Sequence, residues 1–581
     1  MSLTMTHGGA VGSPSTTADI PLVVSPSSHD GQAAEEPQAV AVLLCRDLQD
    51  QAKAGLDLSD LARWAGGLTL APATTVADLC ARADALPAAA ASGARRFVLG
   101  LCSQDYDGRR FQSAARQAGI DPSHLATVDL GGFCARVADP ALRTEKARLL
   151  LAAAVARVRA ASSSKPGNYS PRFIGLAQKL SRRSLFTLPP LQYQVVPSID
   201  ERRCAAQSGC SFCIEACPRT AIRANGGGVW VDTARCEGCG LCLAACPRDA
   251  IELPGLSSAE IEAALDALLA PGSPGPEQRG ILFACQESAA ALLASGPAGL
   301  AAAPNWLPVS VPCAAVLSIG CLLRPLTVGA AAVGVARCGV CALGQDAAIA
   351  GRIDYAQQLL RSLGYAPERV QLLGSDSQGD PLSSGTALGR PLERPDAPSR
   401  PPLPSLFGPA AAADGIRFLA RDTSLGILLP DHPHSPLGTV ALATAACTGC
   451  GACAEACHAG ALSFQREDGH VVLAFDANRC TACGKCTTAC PETQAQALRV
   501  ARATDLARLR QAPTVLYRDQ EARCETCGAP FAPLAMIRRV TALLGDEEAA
   551  LADRLAHTCL ACREEPSTWL ARTPHNRHAT G

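Results

Sequence analysis

Sixteen of the 29 cysteines stand in two runs of eight whose spacing suits metal–sulfur chemistry. The first run is Cys204-x5-Cys210-x2-Cys213-x3-Cys217-Pro218 followed by Cys236-x2-Cys239-x2-Cys242-x3-Cys246-Pro247. The second is Cys447-x2-Cys450-x2-Cys453-x3-Cys457-His458 followed by Cys480-x2-Cys483-x2-Cys486-x3-Cys490-Pro491. A cubane cluster needs four thiolates at the corners of a compact solid. A C-x2-C-x2-C loop wraps three irons, and the fourth Cys of such a run crosses to the neighbouring cluster. Crossing groups Cys204, Cys210, Cys213 and Cys246 on one [4Fe-4S] cluster, and Cys236, Cys239, Cys242 and Cys217 on its partner. It likewise groups Cys447, Cys450, Cys453 and Cys490, and then Cys480, Cys483, Cys486 and Cys457. Four [4Fe-4S] clusters are therefore expected. Zinc ribbons use paired C-x2-C knuckles instead of this three-plus-one run.

Both segments resemble bacterial dicluster ferredoxins, each with a Gly-containing turn between short strands, Ala221 to Arg223 with Val229 to Val231, and Ala461 to Phe464 with Val471 to Leu473. Segments of about 50 residues cannot build an independent core, so ligation must supply much of their folding energy. Two departures stand out. The opening gap of the first run is x5, and His458 follows Cys457 where the other three runs have Pro. His458 is either a tolerated surface substitution or a polar neighbour that shifts a cluster potential.

Other cysteines sit near the ends of apolar runs. In VAVLLC, FVLGLC and TVDLGGFC they are Cys45, Cys102 and Cys134, and Cys80 follows another strand candidate at some distance. Ligands of open parallel sheets gather beyond the carboxyl ends of strands, so these four could converge. Buried thiols without a ligand are the alternative. The segment RFVLGLCSQDYDGRRFQSAARQAGIDPSHLATVDLGGFCARVADP resembles the N-terminal domain of the flavin-bearing heterodisulfide reductase subunit, over about 39–160. That resemblance implies a fifth [4Fe-4S] cluster on Cys45, Cys80, Cys102 and Cys134, although the family's C-x-C-G pattern is here Cys45-Arg46-Asp47. Farther along, ILFAC, VSVPC and AVGVARCGVC place Cys285, Cys313, Cys338 and Cys341 in the same manner. With LLRSLGYAPERVQLL, this part resembles the delta subunit of methyl-viologen-reducing hydrogenase, which implies a [2Fe-2S] cluster on those four cysteines. Ser288 stands where that family has a second Cys, so a docking domain without its cluster is the other outcome. Cys321, within LSIGCLL, is expected in the core.

Cys524-x2-Cys527 and Cys559-x2-Cys562 make an S4 set suited to one tetrahedral zinc, with a further iron centre as the alternative. His557 lies beside a filled tetrahedron and is expected to add at most a hydrogen bond.

The elements that must carry these residues define an α/β plus α+β multidomain chain. At about 150 residues per domain, 581 residues allow about four domains. The expected layout is a disordered arm (1–38), a small parallel α/β domain (39–161), a linker (162–197) and a dicluster ferredoxin (198–254). A second parallel α/β domain (280–375), a Pro/Gly/Ser linker (376–408), a second dicluster ferredoxin (438–500) and a zinc-ribbon-like module (517–565) follow. GLTLAP is expected to be a strand of the first α/β domain, and Ala141 to Ala160 its long helix. The arm shows no basic-then-apolar leader, and the apolar stretch from Val309 to Ala336 is cut by Arg324-Pro325 below bilayer length, so no membrane insertion is expected. A net charge of −1 disfavours nucleic acid. Thiols in such numbers outside a small secreted scaffold indicate a reducing cytoplasm. No G-x-G-x-x-G follows a strand, so neither FAD nor NAD is expected by that motif.

No acid–base or nucleophile set stands beside the cysteines, so catalytic residues are not expected. The first expectation is an electron-transfer protein serving a redox partner or oxidoreductase complex; the resemblances imply one of hydrogenase, formate dehydrogenase or heterodisulfide reductase type. The alternatives are an accessory or assembly factor for a molybdenum or nickel oxidoreductase, and an enzyme reducing a disulfide at the N-terminal centre.

Overall fold

The computed structural model describes residues 39–563, except 52, 70–71, 83–84, 92, 103–107, 164–167, 173–191, 272–275, 295–302, 339–340, 342, 374–402, 404, 425, 430 and 512. The expected arm lies outside the described residues, as does most of the expected 376–408 linker.

Two parallel four-stranded sheets share one topology. In the first, the order is Thr74–Val76, Val40–Cys45, Arg96–Leu101, Leu125–Asp129. In the second it is Trp306–Ser310, Gly280–Ala284, Ala332–Ala336, Val370–Leu373. Both run 2-1-3-4 in chain order, so strands 1 and 3 flank the point where the winding reverses, the usual ligand position of such sheets. Strands such as Arg96–Leu101 and Gly280–Ala284 are buried at every position, which explains the unbroken apolar runs Phe97–Leu101 and Gly280–Ala284. GLTLAP corrects one expectation. Leu68 and Thr69 close the helix Leu58–Thr69, and the short strand comes later, at Thr74–Val76. The period of Leu58, Leu61, Ala65 and Thr69, all buried, carries the helix through it.

The helix Pro140–Ala160 begins with Asp139 accepting from the amide of Ala141 at 2.8 Å, with Pro140 in the first turn. It buries Leu149, Leu150, Leu151, Val155 and Val158, each worth roughly 1.5–3 kcal/mol. It packs against Ser258–Leu269, a helix absent from the expected layout although its start is a capping box, Ser257 with Glu260. Arg157 donates to the Ser310 carbonyl at 3.0 Å and to that of Gly255, and Lys146 donates to that of Ala303 at 2.8 Å. These bonds tie the first α/β domain to the second.

The expected linkers are partly built. Within 162–197, Tyr169–Arg172 pairs antiparallel with Gln192–Val195. At the end of 376–408, Leu406 and Phe407 are buried, and Ser405 donates to Asp249 at 2.5 Å. The helix Pro409–Leu419 then packs on Ile319–Thr327, where Gly320 and Gly415 permit close approach.

The ferredoxin hairpins form as Ile222–Asn225 with Gly228–Val231, and Leu462–Glu467 with His470–Phe475. The second does not end there. His470–Phe475 also pairs with Thr514–Arg523, which pairs with Pro530–Pro533, so the C-terminal segment extends the ferredoxin sheet instead of standing as a separate unit. No helix among the described residues is long and apolar enough to cross a membrane.

Candidate iron–sulfur and metal centres

Each ferredoxin loop is shaped by left-handed residues that local sequence supplies. Gly240, Gly451 and Gly484, at φ of 81°, 79° and 74°, open the short helices that carry Cys242, Cys453 and Cys486. Gly238 at φ 62° leaves no room for a side chain, because a Cβ would lie 2.7 Å from the Val195 carbonyl oxygen.

These turns aim backbone N–H groups at sulfur. The amides of Ala221, Ala250 and Ala461 donate to the sulfurs of Cys217, Cys246 and Cys457, four residues earlier, at 3.3, 3.3 and 3.2 Å. The amides of Gly238 and Gly449 donate to Cys236 and Cys447 at 3.4 Å. Such donors favour anionic sulfur, the form that ligates iron.

The structure brings the ferredoxin thiols together in sets. Cys447, Cys450, Cys453 and Cys490 line one cleft together with Leu442, Phe464 and Leu473. Cys217, Cys236, Cys239 and Cys242 line another. Burial pushes Cys213 up to about 12, with the nearby charges of Cys246, Cys210 and Cys204 adding to it. Burial also pushes Cys486 up to about 12, with Cys457, Cys480 and Cys483 as its neighbours. Mutual repulsion of four buried thiolates is relieved by a cationic iron core, so all four sets fit the group.

The sets also follow one another in space. Cys242 feels the charge of Cys213 and Cys486 that of Cys453, within each module. Between modules, Cys210 feels Cys483. Toward the second α/β domain, Cys313, pushed up to about 11 mainly by burial, feels Cys239 as well as Cys341 and Cys285.

In that α/β domain Cys285 and Cys338, beyond strands 1 and 3, place their sulfurs 3.1 Å apart. Cys313 and Cys341 lie near enough to raise Cys338 further, after burial and its hydrogen bond to Cys285. The Gln345 amide donates to the Cys341 sulfur at 3.4 Å. Cys285 and Cys338 thus meet at the switch point, and Cys313 and Cys341 lie within electrostatic reach of them without the four closing to within 4.8 Å of one another. Cys321 stands apart. It is buried on the helix Ile319–Thr327, directed at the Leu406 carbonyl at 3.3 Å, as expected of a core thiol.

The N-terminal sheet repeats the arrangement with three thiols. Cys80 lies 3.4 Å and Cys45 3.5 Å from the Cys102 sulfur, and the Cys102 amide donates to Cys80 at 3.2 Å. The hydrogen bond between Cys45 and Cys80 holds Cys45 well below the usual thiol range and pushes Cys80 up. Cys134 is not brought into this close group. It sits on the helix Leu130–Cys134, where burial pushes it up to about 12 and the Lys146 ammonium partly offsets that.

Among the described residues, two groups of three or more donors close to within 4.8 Å: this trio, and Cys524, Cys527, Cys559 and Cys562. In the second, the Cys527 and Cys559 sulfurs are 3.7 Å apart. Thiolates about 2.3 Å from one tetrahedral ion stand about 3.8 Å from each other, so the four could hold a single ion. Hydrogen bonds to the Cys524 sulfur, first from the Cys559 backbone, hold it down to about 6. His557 pairs with Glu525 at 2.9 Å and does not join the thiols.

Family models match three parts of the chain. A 4Fe-4S dicluster domain matches residues 446–495, a 4Fe-4S binding domain 229–252, and the methyl-viologen-reducing hydrogenase delta subunit 281–380. These are the parts of a multi-domain iron–sulfur protein. A search of curated proteins finds no match. The hydrogenase-type match spans the domain that carries Cys285, Cys313, Cys338 and Cys341, and the two ferredoxin matches overlap both eight-cysteine runs. Together they support an iron–sulfur electron-transfer role.

His458 was expected on the surface or beside a cluster. It is buried, and its Nε2 lies 2.7 Å from the Ser208 carbonyl oxygen in the other module. Nothing in the local pattern announces a contact 250 residues away in the chain.

Proposed function

We propose that this protein relays electrons between a redox partner protein and an oxidoreductase of hydrogenase, formate dehydrogenase or heterodisulfide reductase type, in a reducing cytoplasm. One observation carries the proposal: the thiol sets adjoin one another in an unbroken order. Cys447/450/453/490 is followed by Cys480/483/486/457, then Cys204/210/213/246, then Cys236/239/242/217, and finally Cys285/313/338/341.

Four [4Fe-4S] clusters and a [2Fe-2S] cluster held by these sets would supply one-electron chemistry with little ligand movement. The chain's part is to fix the order of the sets, direct N–H groups at their sulfurs, and exclude water with residues such as Leu241, Val316, Phe464 and Leu473. Cys524, Cys527, Cys559 and Cys562 would hold a structural zinc. The N-terminal trio would be a further thiolate centre. A [4Fe-4S] cluster there would require its sulfurs to move apart and a fourth donor, Cys134 or another, to join them.

The test is anaerobic purification with iron and sulfide analysis, then mixing the reduced protein with a co-purified oxidoreductase. Sustained turnover supports the relay. A fully loaded protein that cannot sustain turnover overturns it in favour of an accessory role.

A further inference from the structure

The two places where the chain breaks its own fourfold repeat touch each other. Of four cysteine runs, only the first opens with x5, and only the third has His instead of Pro after its fourth Cys. The five residues between Cys204 and Cys210 form a 3-10 turn, Ala206–Ser208, closed by Gly209 at φ 84°. Gln207 of this turn faces Gly227 of the module's own hairpin. The turn presents the Ser208 carbonyl outward, and His458 Nε2 meets it at 2.7 Å. A carbonyl only accepts, so Nε2 must carry the proton and donate. A proline ring has no such donor, and an x2 gap has no such carbonyl.

The contact stands where the modules meet. Arg248 of the first module and Arg479 of the second both lie 3.1 Å from a Cβ position at Gly460, two residues beyond His458. The same junction sets Cys210 within electrostatic reach of Cys483. His458 follows Cys457, a member of the Cys483 set, and Ser208 precedes Cys210 by two residues. The bond therefore ties a side chain of one ligand loop directly to the backbone of the other.

We propose that Ser208 and His458 form a latch that holds the two ferredoxin modules in register, and that this latch positions the Cys210 loop against the Cys483 loop to set electron exchange between modules. The inference rests on the relay proposed above. His458 is a positioning residue in it, acting through the loops and not as a ligand.

The test uses the full chain, reconstituted anaerobically, in four forms: wild type, H458A, H458Q, and a deletion of residues 206–208 that restores an x2 gap. The readouts are iron content, magnetic coupling between reduced clusters of different modules by EPR, and hydrogen exchange across 205–210. Wild type should show coupling that reaches beyond a single pair of clusters. H458A and the deletion should keep full iron yet lose that inter-module coupling, and H458A should speed exchange across 205–210 roughly fivefold, as loss of one net hydrogen bond does. H458Q, whose side-chain amide can donate to Ser208, should restore both signals. Unchanged inter-module coupling in fully loaded H458A overturns the latch. So does wild-type protein whose clusters couple only within modules. If H458A loses iron, equal behaviour of H458Q and H458A in hydrogen exchange overturns it instead. Wild-type protein without cubane signals rejects the cluster assignment itself, a separate failure.

Discussion

The Ser288 hydroxyl accepts the Cys285 amide at 2.9 Å and lies 3.3 Å from the Cys285 sulfur, while the Ser288 amide donates to that sulfur at 3.4 Å. Ser288 is fully buried. It occupies the position where the resembling family has a second cysteine, and it serves the first cysteine instead. S288A leaves the Cys285 amide without its partner, at a cost of about 1–3 kcal/mol. The melting temperature should fall. The hydroxyl donates to the Cys285 carbonyl at 3.1 Å while its oxygen faces the sulfur, so S288A should shift the potential of the centre proposed there by tens of millivolts, about 59 mV being a factor of ten for one electron. A redox titration showing no shift would remove Ser288 from the tuning of that site.

Ligand and core thiols should separate cleanly by iron content. C242S is expected to lose about four irons of the roughly 16 that the four proposed ferredoxin sets would hold, because Cys242 is assigned to a single set. C321A should keep its iron and lose only modest stability, since the Cys321 sulfur faces the Leu406 carbonyl. Iron and sulfide analysis of both variants checks the assignment.

The helices Leu534–Leu544 and Ala549–His557 contain no buried residue. With the proposed zinc on Cys524, Cys527, Cys559 and Cys562, ligation would be the main tie of these two helices to the sheet that Thr514–Arg523 and Pro530–Pro533 extend. Purified protein should contain one zinc. A strong chelator should release it and expose the segment to protease while ferredoxin absorbance persists. Thiol ligands bind as thiolates, so zinc retention should weaken as pH falls. Retention of protease resistance after complete zinc removal would refute this role.

Lys146 is fully buried, and burial holds its ammonium down to about 8, with the Cys134 charge opposing the shift. An unfolded lysine titrates near 10.4. Above about 10.4 the group is neutral in both states. As pH falls toward 8 the unfolded chain takes up a proton that the folded one resists, so about 3 kcal/mol of stability is lost across that window and the loss is constant below it. K146M should flatten stability between about pH 8 and 10, measured as a denaturant midpoint. It also gives up the bond to the Ala303 carbonyl, which limits the gain at neutral pH. An unaltered pH slope would show that Lys146 is already paired in its charged form.

The removal of Arg324 gives a contrasting case. Arg324 donates to Glu262 at 2.8 and 2.9 Å, with both side chains buried. R324M leaves a buried carboxylate alone and should cost about 3–5 kcal/mol, whereas E262L/R324M should recover most of that. Denaturant unfolding of the two variants measures the difference.

The cysteine spacing by itself determined the expected grouping of the ferredoxin thiols, and two of those groups line a common cleft in the structure. The loop Cys236 to Cys242 and the return of Cys217 are geometric consequences of short chain segments, and left-handed glycines such as Gly240 are readable in place. The two α/β sheets were legible for the same reason: Val40–Cys45 and Gly280–Ala284 are unbroken apolar runs with a cysteine at or just beyond the strand end. Tertiary structure alone decided which sets adjoin. The approach of Cys239 to Cys313, the pairing of His470–Phe475 with Thr514–Arg523, and the absence of Cys134 from the N-terminal trio all depend on how distant surfaces fit. His458 shows the division most clearly. Its departure from the repeat was visible in the chain, but its partner was a backbone carbonyl, and a carbonyl has no residue type by which a sequence could reveal it.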